Sequence, residues 1–157
     1  MQKKICYSLF FILLLITSLV AGEIKGLPRI IDGDTIHIDN NKIRLNGIDA
    51  PEKKQICTKS GEEYSCGSVS TEALIKKIEN KPVICHVASN KDRYGRFIGV
   101  CFVGGTNLNK WMVINGYAVA YRRYSKDYVQ DEDYAKKHKL GLWAGIFLEP
   151  EKWRKLN

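Results

Sequence analysis

Five short runs in which apolar and polar residues alternate, each closed by turn-forming residues, constrain this chain more than any other feature. A period of two sends successive side chains to opposite faces of an extended strand, so each run buries one face and needs strand partners. Residues 24–31 and 35–39 are the first two, and Asp39-Asn40-Asn41 turns the chain into a third over 42–48. There Ile43 and Leu45 are expected in the core, with Arg44 and Asn46 on the other face. After Gly47 the apolar parity moves to Ile48, and a bulge at that point would bring Asp49 to the side of Arg44. Residues 82–87 and 96–103 flank the polar turn 90–95 and supply strands four and five. A loop over 50–67 leads to a helix over 69–78, with Ser68 as its candidate cap and Ala73, Leu74 and Ile78 on its inner face. Asn107 caps a helix over 108–115 that ends at Gly116, and another over 126–140 follows Ser125 and stops at Gly141. The tail carries aromatic anchors expected to dock on the body. This order predicts an α+β fold, mainly β, built as a five-stranded OB-fold barrel with about three helices, although order alone also admits other α+β folds.

Residues 1–22 stand apart from that pattern. Lys3 and Lys4 precede a mostly apolar run over 5–20, and Val20-Ala21-Gly22 forms a small-residue exit, which predicts a secretory signal peptide. The run is broken by Ser8, Thr17 and Ser18 and falls short of the ~20 residues that a membrane span needs. A single domain over 23–157 is then expected, exported to the periplasm or the cell exterior, monomeric, and without stable membrane association once the leader is cleaved. Cysteine usage agrees with export: Cys57, Cys66, Cys85 and Cys101 remain outside the leader, with no CxxC pair among them. Cys85 and Cys101 lie equally far from the centre of the turn at residue 93, so a symmetric hairpin sets them opposite each other and leaves Cys57 to pair with Cys66. Four reduced, buried thiols are the alternative. The 25 Lys and Arg against 17 Asp and Glu give +8, which favours an anionic partner such as nucleic acid or anionic lipid. With 45% hydrophobic and 27% charged residues the chain is neither disordered nor collagen-like.

Asp32-Gly33-Asp34-Thr35 sets two carboxylates at one strand end, a pattern shared by ordinary turns and by cation sites. A second acidic element, Asp49-Ala50-Pro51-Glu52, follows the third strand, so three or four carboxylates could converge on one hard, oxygen-preferring cation. Arg44 between these elements, and Arg96 within Asp92-Arg93-Tyr94-Gly95-Arg96, offer planar donor forks suited to phosphate oxygens. Carboxylates to hold a cation, one to orient water and two arginines to take up charge form the inventory that phosphodiester hydrolysis requires.

Taken in order, Ile31-Asp32-Gly33-Asp34-Thr35, Ile43-Arg44-Leu45-Asn46-Gly47-Ile48-Asp49-Ala50-Pro51-Glu52 and Asp92-Arg93-Tyr94-Gly95-Arg96 resemble the thermonuclease (staphylococcal nuclease-like) family, over residues 24–153. Gly141-Leu142-Trp143 and Pro150-Glu151-Lys152-Trp153-Arg154 are similar to its exported, cysteine-containing branch. The resemblance implies an OB-fold nuclease that uses calcium (Ca2+) to cut DNA and RNA with little sequence preference, leaving 3′-phosphate ends. It implies that Asp34 and Asp49 ligate calcium through their side chains, Ala50 through its carbonyl and Asp32 through water. Glu52 would position or deprotonate the attacking water, and Arg44 and Arg96 would bind the phosphate and stabilise its transition state. Tyr94 and Arg93 match the third motif on the substrate side. Tyr121 is also assigned there, although the spacing in Ala120-Tyr121-Arg122-Arg123-Tyr124 leaves open which tyrosine stacks a base. The family's well-known member lacks cysteines, so the disulfides rest on the hairpin arithmetic alone. His37, His86 and His138 show no ligand spacing, and Lys136-Lys137-His138-Lys139 and Arg154-Lys155 are expected to be solvated faces. A noncatalytic OB module that binds nucleic acid is the alternative function, since the fold serves both.

Overall fold

The computed structural model describes residues 22–157, so the expected leader over 1–22 lies outside the described residues but for Gly22. Eleven strands and four α-helices follow in the order β1 (Gly22–Gly26), β2 (Pro28–Asp32), β3 (Thr35–Ile38), β4 (Asn41–Leu45), β5 (Ile48–Asp49), β6 (Cys57–Lys59), β7 (Glu62–Tyr64) and α1 (Cys66–Ile78). Then come β8 (Val83–Lys91), β9 (Phe97–Val103), β10 (Thr106–Asn107), α2 (Leu108–Ile114), β11 (Val119–Ala120), α3 (Val129–Lys137), a 3₁₀ turn (Gly141–Ala144) and α4 (Pro150–Leu156). The main sheet runs β1-β8-β9-β4-β3-β2 with β10 on β9; its β4–β9 pairing is parallel and the others antiparallel. The fold is α+β, mainly sheet, of the OB class.

The expected first strand is two strands. Pro28 lacks the N–H that a continuous ladder needs and opens a new strand, so β1 pairs with β8 while β2 pairs with β3. The third run ends at Leu45: Gly47 takes φ +72°, and the chain re-enters as β5, which pairs with β11. The loop over 50–67 holds the β6–β7 hairpin, and α1 starts earlier than expected, with Ser65 at the cap position and Ser68 inside the helix. The helix expected over 126–140 is shorter at both ends, and α4, begun by a proline whose fixed φ suits a first helical turn, raises the helices to four. Asn107 caps α2 as expected, its Oδ1 accepting from the Lys110 N–H at 3.0 Å.

Ile36, Ile38, Ile43, Leu45 and Ile48 form the buried centre, closed by Leu74 and Ile78 of α1 and by Met112 and Val113 of α2. The β8–β9 register sets Cys85 opposite Cys101, and the two are disulfide-bonded; Cys57 is bonded to Cys66. This second bridge nucleates a smaller cluster with Val119 and Leu142, against which Trp143 packs. Asn109 of α2 is fully buried: its Nδ2 donates to the carbonyls of Asn46 (2.9 Å) and Gly99 (3.1 Å), and its Oδ1 accepts from the Cys101 N–H at 3.1 Å. Those bonds fix the end of β4 beside β9, from which the chain turns toward its acidic residues. Among the described residues no helix is long and apolar enough to cross a membrane.

Candidate active site

The turn after β2 and the segment after β5 meet over one end of α1. Gly33 makes the approach possible, because a Cβ there would lie on Ser70 Oγ and 2.8 Å from Ala50 Cβ. Asp32 Oδ1 accepts the Asp34 N–H at 3.1 Å, closing the turn. Asp34, 2% exposed, then reaches across to the second element: its Oδ2 accepts the Ala50 N–H at 2.7 Å, and its Oδ1 accepts from Thr35 Oγ1 at 3.0 Å and from Arg44 Nη1. Arg44 Nη2 donates to Asp49 Oδ1 at 2.7 Å and lies 3.4 Å from the Ile48 carbonyl oxygen. In place of the bulge expected after Gly47, the strand ends at Leu45 and the chain re-enters as β5, which brings Asp49 to Arg44 as expected, and the guanidinium spans both buried aspartates.

Glu52 is fixed through its backbone. A Cβ at Gly67 would occupy the Glu52 carbonyl, so glycine lets α1 start against this loop. Gln55, fully buried, accepts the Glu52 N–H with Oε1 at 3.2 Å, donates from Nε2 to the Leu148 carbonyl at 2.6 Å, and donates its own N–H to the Glu52 carbonyl at 2.7 Å. The Glu52 carboxylate, partly exposed, accepts from Arg154 Nη1 at 2.8 Å. Arg154 also grips Asp49, with Nη1 to Oδ1 and Nη2 to Oδ2 both at 2.9 Å. The basic end expected to be a solvated face therefore places one arginine inside the site, while Lys155 stays outside and meets Glu151 at 3.3 Å. Sequence offers no local signal for this, since Arg154 and Glu52 are 102 residues apart.

Burial pushes the Asp34 carboxyl up to about 6; the Arg44 guanidinium opposes the shift and the Asp32 charge adds to it. Burial likewise raises Asp49, against the hydrogen bond from Arg154. Burial works against the charge on Arg44 and Arg154, yet the facing carboxylates hold both above the ordinary arginine value. The donors gathered here are hard oxygens: the Asp34 and Asp49 carboxylates, bridged by Arg44, with Asp32 one step away. Asp32, Asp34, Asp49 and Glu52 carry four formal negative charges against two on Arg44 and Arg154, and the remaining −2 suits a divalent, oxygen-preferring cation. Among the described residues no three carboxylate, histidine or cysteine side chains converge on one point, so carbonyl and water oxygens would have to complete such a shell.

Arg96 forms a separate group. Asp92 Oδ2 accepts from Arg96 Nε at 2.9 Å and Nη2 at 2.8 Å, while Oδ1 accepts the Tyr94 and Arg96 N–H groups, both at 2.9 Å. The exposed Tyr94 ring lies under Arg93 (4.7 Å to the ring centroid) and Arg96 (5.1 Å). No described hydrogen bond joins this group to the acidic cluster. Tyr121 belongs with the cluster: burial and the Asp49 and Glu151 carboxylates raise its phenol, and its N–H donates to the Gly47 carbonyl at 2.8 Å. Its ring meets the more exposed Tyr124 edge-on at 4.8 Å.

A family model described as staphylococcal nuclease homologue matches residues 42–145, a span that holds Arg44, Asp49, Glu52 and Arg96 and leaves out Asp32, Asp34 and Arg154. The chain is 39% identical over 127 residues to the succinoglycan biosynthesis protein ExoI of Rhizobium meliloti (strain 1021), covering 78% of this chain and 66%, just under two thirds, of that protein. It is 38% identical over 133 residues to an uncharacterized endonuclease of Escherichia coli O157:H7, covering 80% of each. With a micrococcal nuclease of Shigella flexneri it shares 35% over 155 residues, 87% of this chain and 83% of the relative.

Proposed function

The chain belongs to the staphylococcal nuclease family, and from that premise we propose that it is a calcium-dependent endonuclease that hydrolyses phosphodiester bonds of DNA and RNA with little sequence specificity, leaving 3′-phosphate ends. The observation that carries this reading is Arg44 spanning the buried Asp34 and Asp49 carboxylates in a cluster of formal charge −2. Asp34, Asp49 and the Ala50 carbonyl would hold the ion, with Asp32 acting through water. Calcium, when bound, supplies positive charge against the phosphate oxygens and a shell that carries water.

The chain's own residues do the rest. Glu52 keeps part of its carboxylate open to solvent, where it orients an attacking water or takes its proton. Arg44, turned from an aspartate toward phosphate, and Arg96, turned from Asp92, neutralise charge that grows as the phosphorus adds an oxygen. Arg93 steers the backbone, and the exposed ring of Tyr94, with Tyr121 beside the cluster, contacts the sugar or base. The net charge, +8 over the full chain and +6 without Lys3 and Lys4 of the leader, draws polyanions without reading their sequence.

Export completes the proposal: residues 1–22 act as a signal peptide, the domain over 23–157 works in the periplasm or outside the cell as a monomer, and no stable membrane association remains. Two disulfides support an oxidising destination. Digestion of plasmid DNA tests the activity. Cleavage in calcium that stops with chelator and is weak in magnesium is expected; a protein that binds the plasmid and leaves it intact in calcium overturns the reading in favour of a noncatalytic binding module.

A further inference from the structure

Helix α4 is held to the body by polar contacts. Arg123 Nη1 meets Glu151 Oε1 at 3.2 Å, Gln55 grips the Leu148 carbonyl just ahead of the helix, and Arg154 forks over Asp49 and Glu52. The apolar contacts of α4 are fewer: within the helix Pro150 is buried and Trp153 half-buried, while Leu156 is 75% exposed. The carboxylates fix where the Arg154 guanidinium sits. Its Nη1 bonds to Asp49 and Glu52 at once, which holds together two like charges that would otherwise repel, and its Nη2 takes the second Asp49 oxygen. A single ammonium nitrogen cannot reproduce that planar, three-bond grip.

We propose that Arg154 is a positioning residue of this site: it orients the Glu52 carboxylate against Asp49 and occupies the Asp49 oxygens that a calcium ion would otherwise take. The inference rests on the nuclease reading of the same cluster and assigns a role to a residue that lies beyond the span matched by the family model. Two opposite consequences follow. Without Arg154, Glu52 loses the donor that aims it, so turnover falls. Asp49 at the same time loses a competing cation, so calcium binds more tightly. A residue that merely props up the fold would weaken both together.

The test uses the full chain and Arg154→Met, with circular dichroism for folding, calorimetric titration with calcium in the absence of nucleic acid, and single-turnover cleavage of a short DNA strand at saturating calcium. Arg154→Met should bind calcium about tenfold more tightly, as expected for removal of one positive charge a few ångströms from the ion. It should cleave on the order of 10²-fold more slowly with little change in KM, the usual cost of a misplaced reacting group. Arg154→Lys should return calcium affinity toward wild type and leave cleavage slow; if Arg154→Met does not fold, this variant carries the test. In a Glu52→Gln background, Arg154→Met should cost less than about threefold, because the group it positions is already disabled. Unchanged or weakened calcium binding by Arg154→Met, native cleavage by either Arg154 variant, or an equal loss with and without Glu52 overturns the proposal. A wild-type chain that neither binds calcium nor cuts overturns the nuclease reading itself, and this inference with it.

Discussion

Gln55→Leu removes the amide that joins the Glu52 loop to the segment leading into α4 while keeping a side chain of similar bulk. In the folded chain that amide is fully buried, accepts the Glu52 N–H at 3.2 Å and donates to the Leu148 carbonyl at 2.6 Å. The shorter bond is the stronger of the two. Leucine leaves one N–H and one C=O without a partner, each costing ~1–3 kcal/mol where water cannot reach. Glu52 lies next to solvent and its N–H is the easier of the two to rehydrate, so ~2–4 kcal/mol is the expected loss. For a domain of this size that lowers Tm by roughly 10 °C, given a few degrees per kcal/mol. Urea unfolding followed by tryptophan fluorescence, run on wild type and variant together, reads the difference. Calcium-dependent cleavage measured well below the new Tm should also slow, because Glu52 and Arg154 both sit on segments that this amide braces. A loss under ~0.5 kcal/mol would refute the reasoning, since surface substitutions alone scatter that far.

Three other outcomes follow from the same geometry. Asn109→Ala breaks three hydrogen bonds at once and should cost ~3 kcal/mol by urea unfolding, at ~1 kcal/mol for each bond. Replacing Cys57 and Cys66 by serine opens a loop of sequence separation 9 and should cost about 2–3 kcal/mol by the chain-entropy estimate, with cleavage lost at a lower temperature than in wild type. Burial raises the Glu132 carboxyl, but Lys136, Arg122 and the Ala120 N–H outweigh it and hold the group below its ordinary value of 4.5. Its contribution is therefore full above that value and lost as pH falls through the depressed folded one, so the stability gap between wild type and Glu132→Gln should narrow in acid titration and stay level between pH about 6 and 8.

Local patterns made much of this molecule legible. Alternation located Ile43 and Leu45 in the core, the symmetric turn located the Cys85–Cys101 pair, and Asn107 marked the start of α2, because each signal spans only a few residues. The strand break at Pro28 was equally visible in principle, yet apolar alternation runs across it and masks the change of partner. At the site, the two acidic turns and Arg44 declare themselves by spacing within 21 residues, from Asp32 to Glu52. Gln55, Asn109 and Arg154 were not legible, since each acts on a partner that only the fold brings near. A buried glutamine, a buried asparagine and a tail arginine look like surface residues until Leu148, Gly99 and Glu52 come within reach. Arg96 was legible as a fork, and its present acceptor, Asp92, lies only four residues away in the same motif.

Single-turnover cleavage of a short DNA strand, with enzyme in excess and binding measured on the same strand, tests the central claim most directly. The reading of Glu52 as the group that orients or deprotonates water predicts that wild type cuts in calcium and stops with chelator. Glu52→Gln, folded and still binding the strand, should cut slower by ~10² to 10⁴, the usual worth of a general base. Wild type that binds and never cuts, or Glu52→Gln that cuts as fast as wild type, would contradict it.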